Sequence, residues 1–161
     1  MLPKRAWIDM TTEEFKTSDT ASWVAVLPIA AVEQHGPHLP VAVDTAIAEG
    51  NLAAVRAILP EGLPVTFLPV LWSGKSNEHI SFPGTITLSG ETLIRVLIEI
   101  GESVARAGVR RLIIVNAHGG NVSAMDIAAR ELRVRAGLFA VHVSWSRLGA
   151  PAGLISDAER T

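Results

Sequence analysis

The chain has 161 residues, with 14 lysines and arginines against 16 aspartates and glutamates, and a formal net charge of −2 at pH 7. Hydrophobic residues make up 48% and charged ones 19%, which excludes a largely disordered chain and fits one domain able to bury roughly 70% of its unfolded surface. A pI near 6.2 argues against nucleic acid as the main partner, and the absence of cysteine excludes disulfides, thiolate metal sites and cysteine nucleophiles.

The first twenty residues mix Lys4, Arg5, Glu13, Glu14 and Lys16 without an apolar run. They do not read as a signal peptide. No apolar stretch reaches the ~18 residues of a membrane span, so a cytoplasmic protein without membrane partners is expected. Thr11 followed by Glu14 fits a capping box and predicts a short helix. Trp23 to Val32 is a nearly continuous apolar run, as in a buried strand of a parallel sheet. Asp44 opens a helical segment that stops at Pro60 and Gly62. Pro64 to Trp72 reads as a second strand, followed by a Gly-, Ser- and Asn-rich loop from Ser73 to Gly84.

Glu91 to Ala107 is the clearest helix. Leu93, Leu97, Ile100 and Val104 form one face, and Arg95, Glu99, Glu102 and Arg106 another. Gly108 sits where a helix ends. Leu112 to Val115 is a third strand. Asn121 is placed to cap a helix over Val122 to Arg135 that ends at Gly137, and Leu138 to Trp145 is a fourth strand. Ser146 to Thr161 carry no strong pattern. The alternation predicts a three-layer α/β fold with a mainly parallel sheet.

In such a sheet, ligands bind beyond the carboxyl ends of the strands. The loops there carry Glu33, His35, His38 and Asp44, then Glu78 and His79, then His118, Gly119 and Gly120. Residues two apart in extended backbone project to one side, so Glu33 and His35 can converge on a cation. Asp44 arrives on the same edge, and His118 comes from another strand. Carboxylate and imidazole without sulfur suit Zn²⁺, Mn²⁺ or Fe²⁺. The four groups can hold one ion, or two bridged by Asp44. A bound divalent ion brings the pKa of its water from about 15.7 to about 7 and polarises a carbonyl. Backbone N–H groups at Gly119 and Gly120 can stabilise an oxyanion. Hydrolysis of an amide-like bond is the natural reaction class.

Structural roles compete with these readings. Asp44 can be a helix N-cap, and Gly119 and Gly120 can serve a tight turn. His38 and His79 can order their loops, with His79 equally placed to line the site. His142, between Val141 and Val143, reads as a core or interface histidine, and Trp72 and Trp145 as core or interface anchors. A phosphate-binding turn at Gly119-Gly120-Asn121 lacks the lysine and glycine spacing of a P-loop.

The run E-Q-H-G-P-H-L-P at 33–40 with Asp44, then G-K-S-N-E-H and F-P-G-T within 74–85, then N-A-H-G-G-N at 116–121, resembles the creatininase (creatinine amidohydrolase) family. The resemblance runs from about Trp23 to about Trp145. It implies an α/β/α sandwich and a metal-dependent hydrolase of non-peptide C–N bonds in small amides, cyclic amides or formamides. It also implies zinc or manganese, with iron in some relatives, and homo-oligomers, commonly hexamers. Carried over by position, Glu33, His35, Asp44 and His118 match metal ligands, with Asp44 as the bridge. Relatives act on creatinine, on formamides of cofactor biosynthesis, or on the peptide precursor of mycofactocin.

Two departures stand out. Creatininase itself has a glutamate two residues after the loop histidine, where this chain has Gly120. Relatives with the H-G-G-N form supply a later carboxylate from an H-A-G-x-x-E-T-S-like segment, and nothing like it occurs here. If Glu33, Asp44 and His118 hold a first ion, a second has only His35 and Asp44. The expectation is therefore one creatininase-like domain over 1–161, shortened at its C-terminus. The alternative to an enzyme is a non-catalytic relative with an assembly role.

Overall fold

The computed structural model describes residues 2–149. Four parallel strands form one sheet in the order β2-β1-β3-β4, with β1 at Val24–Ile29, β2 at Val65–Phe67, β3 at Arg111–Asn116 and β4 at Phe139–Ser144. The helices are α1 (Thr12–Thr17), α2 (Val43–Ile58), α3 (Gly90–Arg106) and α4 (Val122–Ala136). β1 pairs with β3 from Val24↔Arg111 to Ile29↔Asn116, and β3 with β4 from Arg111↔Phe139 to Asn116↔Ser144. In-register pairing brings three strands to an end at one rim.

Side chains alternate between the two faces of a strand, and two cores follow. Ala25, Leu27, Ile29, Leu112, Ile114 and Ala140 join Leu93, Leu97, Val104, Met125 and Leu132 of α3 and α4. Val26, Val65, Phe67 and Val115 pack with Leu52 of α2, and Val24, Val55, Ile113 and Val143 border them. The molecule is thus the expected three-layer sandwich, with α3 and α4 on one face and α2 on the other.

Local signals explain most element ends. Thr11 and Glu14 form the reciprocal capping box. Ser89 caps α3 by accepting from the Thr92 N–H at 3.1 Å. Gly137 ends α4 in the left-handed conformation at φ +62°.

Three expectations are corrected. The second strand spans Val65–Phe67 rather than Pro64 to Trp72. Pro28 in β1 and Pro69 opposite it lack the N–H groups the ladder needs. Contact resumes only where the Leu71 N–H donates to the Pro28 carbonyl at 2.9 Å and the Ala30 N–H donates to the Leu71 carbonyl at 2.9 Å. Asp44 does not cap α2, which begins at Val43 after Ala42 without a side-chain cap. Asn121 stands at the start of α4 but makes no cap hydrogen bond, because its amide is used elsewhere.

Trp145–Leu148 form a 3₁₀ turn, and the rest of the patternless stretch, from 150 onward, lies outside the described residues. Among the described residues no helix is long and apolar enough to cross a membrane.

Candidate metal centre

The rim of the sheet gathers three loops into one polar cluster. Glu33 and His35 lie after β1, Asp44 lies in the first turn of α2, and His118 follows β3. Glu33 is 6% exposed, Asp44 5% and His118 7%. Burying two carboxylates costs several kcal/mol each unless something compensates their charge. Among the described residues their ion-pair partners are all histidines. The nearby Lys75 ammonium turns instead to the Asn77 side chain.

Two backbone carbonyls fix the imidazoles. A carbonyl can only accept, so Nδ1–H of His35 donates to the Glu33 carbonyl at 3.1 Å. Nε2–H of His118 donates to the Lys75 carbonyl at 2.9 Å. The other nitrogen of each ring faces Asp44. His35 Nε2 lies 3.2 Å from Oδ1, and His118 Nδ1 lies 3.1 Å from Oδ2 and 3.2 Å from Glu33 Oε1. A backbone hydrogen bond on the far nitrogen is the usual device that orients a metal-ligating histidine.

Asp44 Oδ2 is buried and makes no hydrogen bond. A bare imidazole lone pair opposite two carboxylate oxygens is repulsive unless a proton or a cation stands between them. Ligand atoms around a tetrahedral ion are about 3.4 Å apart, close to the separations seen here. The orphaned oxygen and the nitrogen–oxygen donor set therefore fit a divalent ion. Ligand atoms of Glu33, His35 and Asp44 lie within 4.8 Å of one another, as do those of Glu33, Glu78 and His118.

Burial, the largest single influence on the His118 ring, disfavours its charged form. The hydrogen bond that the charged ring would make to Asp44, the one to the Lys75 carbonyl, and the charges of Glu33 and Asp44 outweigh burial, so the pKa is raised above 6.5.

Sequence reasoning placed several further residues in these loops without giving them a supporting role, and read Asn121 as a helix cap. Ser76, fully buried, donates to Glu33 Oε2. Asn116 accepts from the His118 N–H at 3.1 Å and donates to the His118 carbonyl at 2.6 Å. The Asn121 amide donates to Asn116 Oδ1 at 3.1 Å and to the Ala30 carbonyl at 3.0 Å, and accepts from the Lys75 N–H at 2.9 Å. One buried amide thus ties the ends of β1 and β3 to the 74–76 loop. The N-x-H-x-x-N spacing around His118 was the available signal.

The remaining predicted residues divide. His79 reaches the edge of the cluster, with Nε2 3.9 Å from Glu33 Oε2. Gln34 Oε1 accepts from the Gly36 N–H, which turns the Gln34 NH₂ toward His79 Nδ1 at 3.2 Å. His79 therefore carries its proton on Nε2, facing Glu33. His38 is exposed. His142 is half-buried, and its Nε2 lies 3.6 Å from Asp126 on α4, away from the rim. Trp72 is half exposed rather than a core anchor.

Neither Gly119 nor Gly120 has a positive φ, so the turn does not demand glycine. Space demands it at Gly120, where a Cβ would lie 2.2 Å from the Lys75 carbonyl oxygen and 2.5 Å from His118 Nε2. A cavity of about 470 Å³ opens beside His118, lined in part by Ile47, Asn116, Gly119, Ser144 and Trp145.

The sequence matches the creatinine amidohydrolase (creatininase) family profile over residues 8–161. The mycofactocin precursor peptide peptidase of Mycobacterium tuberculosis is 44% identical over 114 residues, covering 67% of this chain and 45% of that protein. The creatinine amidohydrolase of Pseudomonas putida is 35% identical over 134 residues, covering 78% of this chain and 50% of that protein. A creatininase structure of the Zn-Zn type superposes with a TM-score of 0.72 at 31% identity, over 92% of this chain and 61% of its own. A manganese creatininase superposes with a TM-score of 0.68 at 30% identity, over 92% and 62%. The chain spans about half the length of the curated relatives it matches.

Proposed function

The chain belongs to the creatininase family, and on that premise we propose that it is a metal-dependent hydrolase of a C–N bond in a small amide, cyclic amide or formamide. The observation that carries the proposal is the buried pair Glu33 and Asp44, without a lysine or arginine partner among the described residues, with Asp44 Oδ2 lacking a hydrogen bond and facing a histidine nitrogen. Glu33, His35, Asp44 and His118 are the proposed ligands, and zinc and manganese are the proposed ions, as in the related creatininase structures. Such an ion would supply Lewis acidity and an acidified water.

The chain's own groups have separable tasks. Asp44 presents its two oxygens to two different histidines, which suits a bridging carboxylate. Ser76 holds one oxygen of Glu33 and leaves the other directed at His118. His79, with its proton on Nε2, is placed to donate it to a departing amine. The backbone at Gly119 borders the cavity where a carbonyl oxygen would sit, with Gly120 next to it in the chain. The cavity has the size of a small-ligand pocket.

Homo-oligomers, hexamers included, belong to the same proposal. Light scattering that finds only a 17.1 kDa particle would remove this part.

The test is hydrolysis of lactams, formamides and short peptides by the metal-loaded chain, with Glu33→Gln alongside. A ligand worth several kcal/mol of transition-state stabilisation predicts a loss of about 100-fold or more in kcat/KM. Metal content and turnover unchanged by Glu33→Gln would refute the assignment.

A further inference from the structure

A second cavity opens next to His79, apart from the one beside His118, and the two share no lining residue. It holds about 360 Å³ and is walled mainly by Gln34, Pro37, Leu39, Val41, Phe82 and Pro83. No charged side chain lines it among the described residues. Glu33 stands between the nearest imidazoles of the two cavities, with Oε1 3.2 Å from His118 Nδ1 and Oε2 3.9 Å from His79 Nε2. The new cavity is therefore one side chain away from the proposed metal centre. Gln34 follows Glu33 in the chain and donates to His79 Nδ1 at 3.2 Å, and the Phe82 ring centre lies 6.0 Å from that of His79.

The walls are built into the fold. The Glu33 N–H donates to the Val41 carbonyl at 3.0 Å and closes the 33–41 loop. The Phe82 N–H donates to the His79 carbonyl at 3.0 Å, and the Ile86 N–H to the Val32 carbonyl at 2.9 Å. Gly84 turns the chain between them at φ +94°, where a Cβ would stand 3.3 Å from Val41 Cγ1. Both polar ends of Gln34 are engaged, Oε1 by the Gly36 N–H at 2.9 Å and the NH₂ by His79. Leu39 and Phe82 remain 46% and 47% exposed. A preformed concave surface of aliphatic and aromatic carbon left to water is best covered by an occupant that brings apolar carbon of its own.

We propose that this cavity is the subsite for the amine half of the substrate, so that the chain acts on an amide whose nitrogen carries an apolar group of about the size of a leucine side chain. The inference rests on the hydrolase reading, in which the acyl carbonyl lies beside Gly119 and His79 donates its proton to the departing amine. The group on that amine then leaves from the His79 side, into the pocket of Leu39 and Phe82. A glycine-like amine would leave the pocket wet and gain nothing from it.

The experiment gives N-formylglycinamide and N-formylleucinamide to the metal-loaded full chain and measures kcat/KM for each. Saturation-transfer NMR follows the binding of both compounds to the same protein. The wild type is expected to favour the leucine compound about tenfold or more. Leu39→Ala and Phe82→Ala are expected to bring that ratio close to one, and Leu39→Met, which keeps the apolar bulk, to retain it. Equal kcat/KM for the two compounds in the wild type would overturn the subsite and leave the hydrolase reading standing. A leucine preference that survives both alanine substitutions would overturn the assignment to this pocket. If neither compound is hydrolysed, binding decides. Saturation transfer to the leucine compound that Leu39→Ala and Phe82→Ala abolish would support the pocket while counting against hydrolysis, and no binding of either compound would overturn it. An oligomer that Leu39→Glu dissociates, with the substrate ratio unchanged, would assign the pocket to a second copy of the chain and overturn the proposal.

Discussion

His118 is held between opposed influences, and the balance has a measurable sign. Its pKa is raised in the folded, metal-free chain. A histidine of this kind stabilises the fold fully below its ordinary 6.5 and loses that contribution as pH rises through the raised value. The melting temperature of the metal-free chain should therefore fall as pH rises through the interval above 6.5, and His118→Gln should flatten that fall. A divalent ion competes with the same proton. Metal affinity should weaken with acidification, by up to about tenfold per pH unit. Calorimetric melts with and without Mn²⁺ across that interval check both signs, and identical pH profiles for the two forms would contradict them. Much of this residue-level picture was legible in the sequence. Glu33, His35, Asp44 and His118 converge as the E-x-H and loop-histidine patterns predict. The structural alternative for Asp44 fails because α2 starts one residue earlier and leaves the carboxylate free. The supporting roles of Ser76, Asn116 and Asn121, the last read as a helix cap, were not legible because buried hydrogen-bonding partners are set by tertiary contact, which local pattern does not encode.

At the scale of elements, α3 and α4 pack closely at Gly101. A Cβ on Gly101 would lie 2.5 and 2.6 Å from the two methyl carbons of Leu132, both in the core. Close packing leaves such a methyl no room. Gly101→Ala should cost about 1–3 kcal/mol through overpacking, read as a lower urea midpoint with unchanged slope. Metal affinity should not change, because the contact lies under the opposite layer from α2. A stabilised variant would show that the helices can part. Helix positions were legible because the 3.6-residue pattern of Leu93, Leu97 and Val104 and the stop signals at Gly108 and Gly137 act locally. The second strand was not. Its apolar composition extends to Trp72, but Pro28 and Pro69 interrupt the ladder, and pairing depends on the partner strand as much as on composition.

For the whole molecule, parallel register does the positioning. β1 and β3 end side by side at Ile29 and Asn116, so residues 85 positions apart in sequence, Glu33 and His118, meet at 3.2 Å. That convergence follows from the sandwich topology, with α2 bringing Asp44 to the rim from the other face. The fold class followed from the strand–helix alternation, since each apolar run can be covered on both faces only by helices. The central claim is that this rim grips a divalent ion. Anomalous diffraction from crystals grown with Zn²⁺ or Mn²⁺ tests it most directly. The account predicts a peak about 2.0–2.3 Å from oxygens of Glu33 and Asp44 and from a ring nitrogen of His118 or His35. Full scattering from the ion elsewhere, with no peak among these side chains, would contradict it.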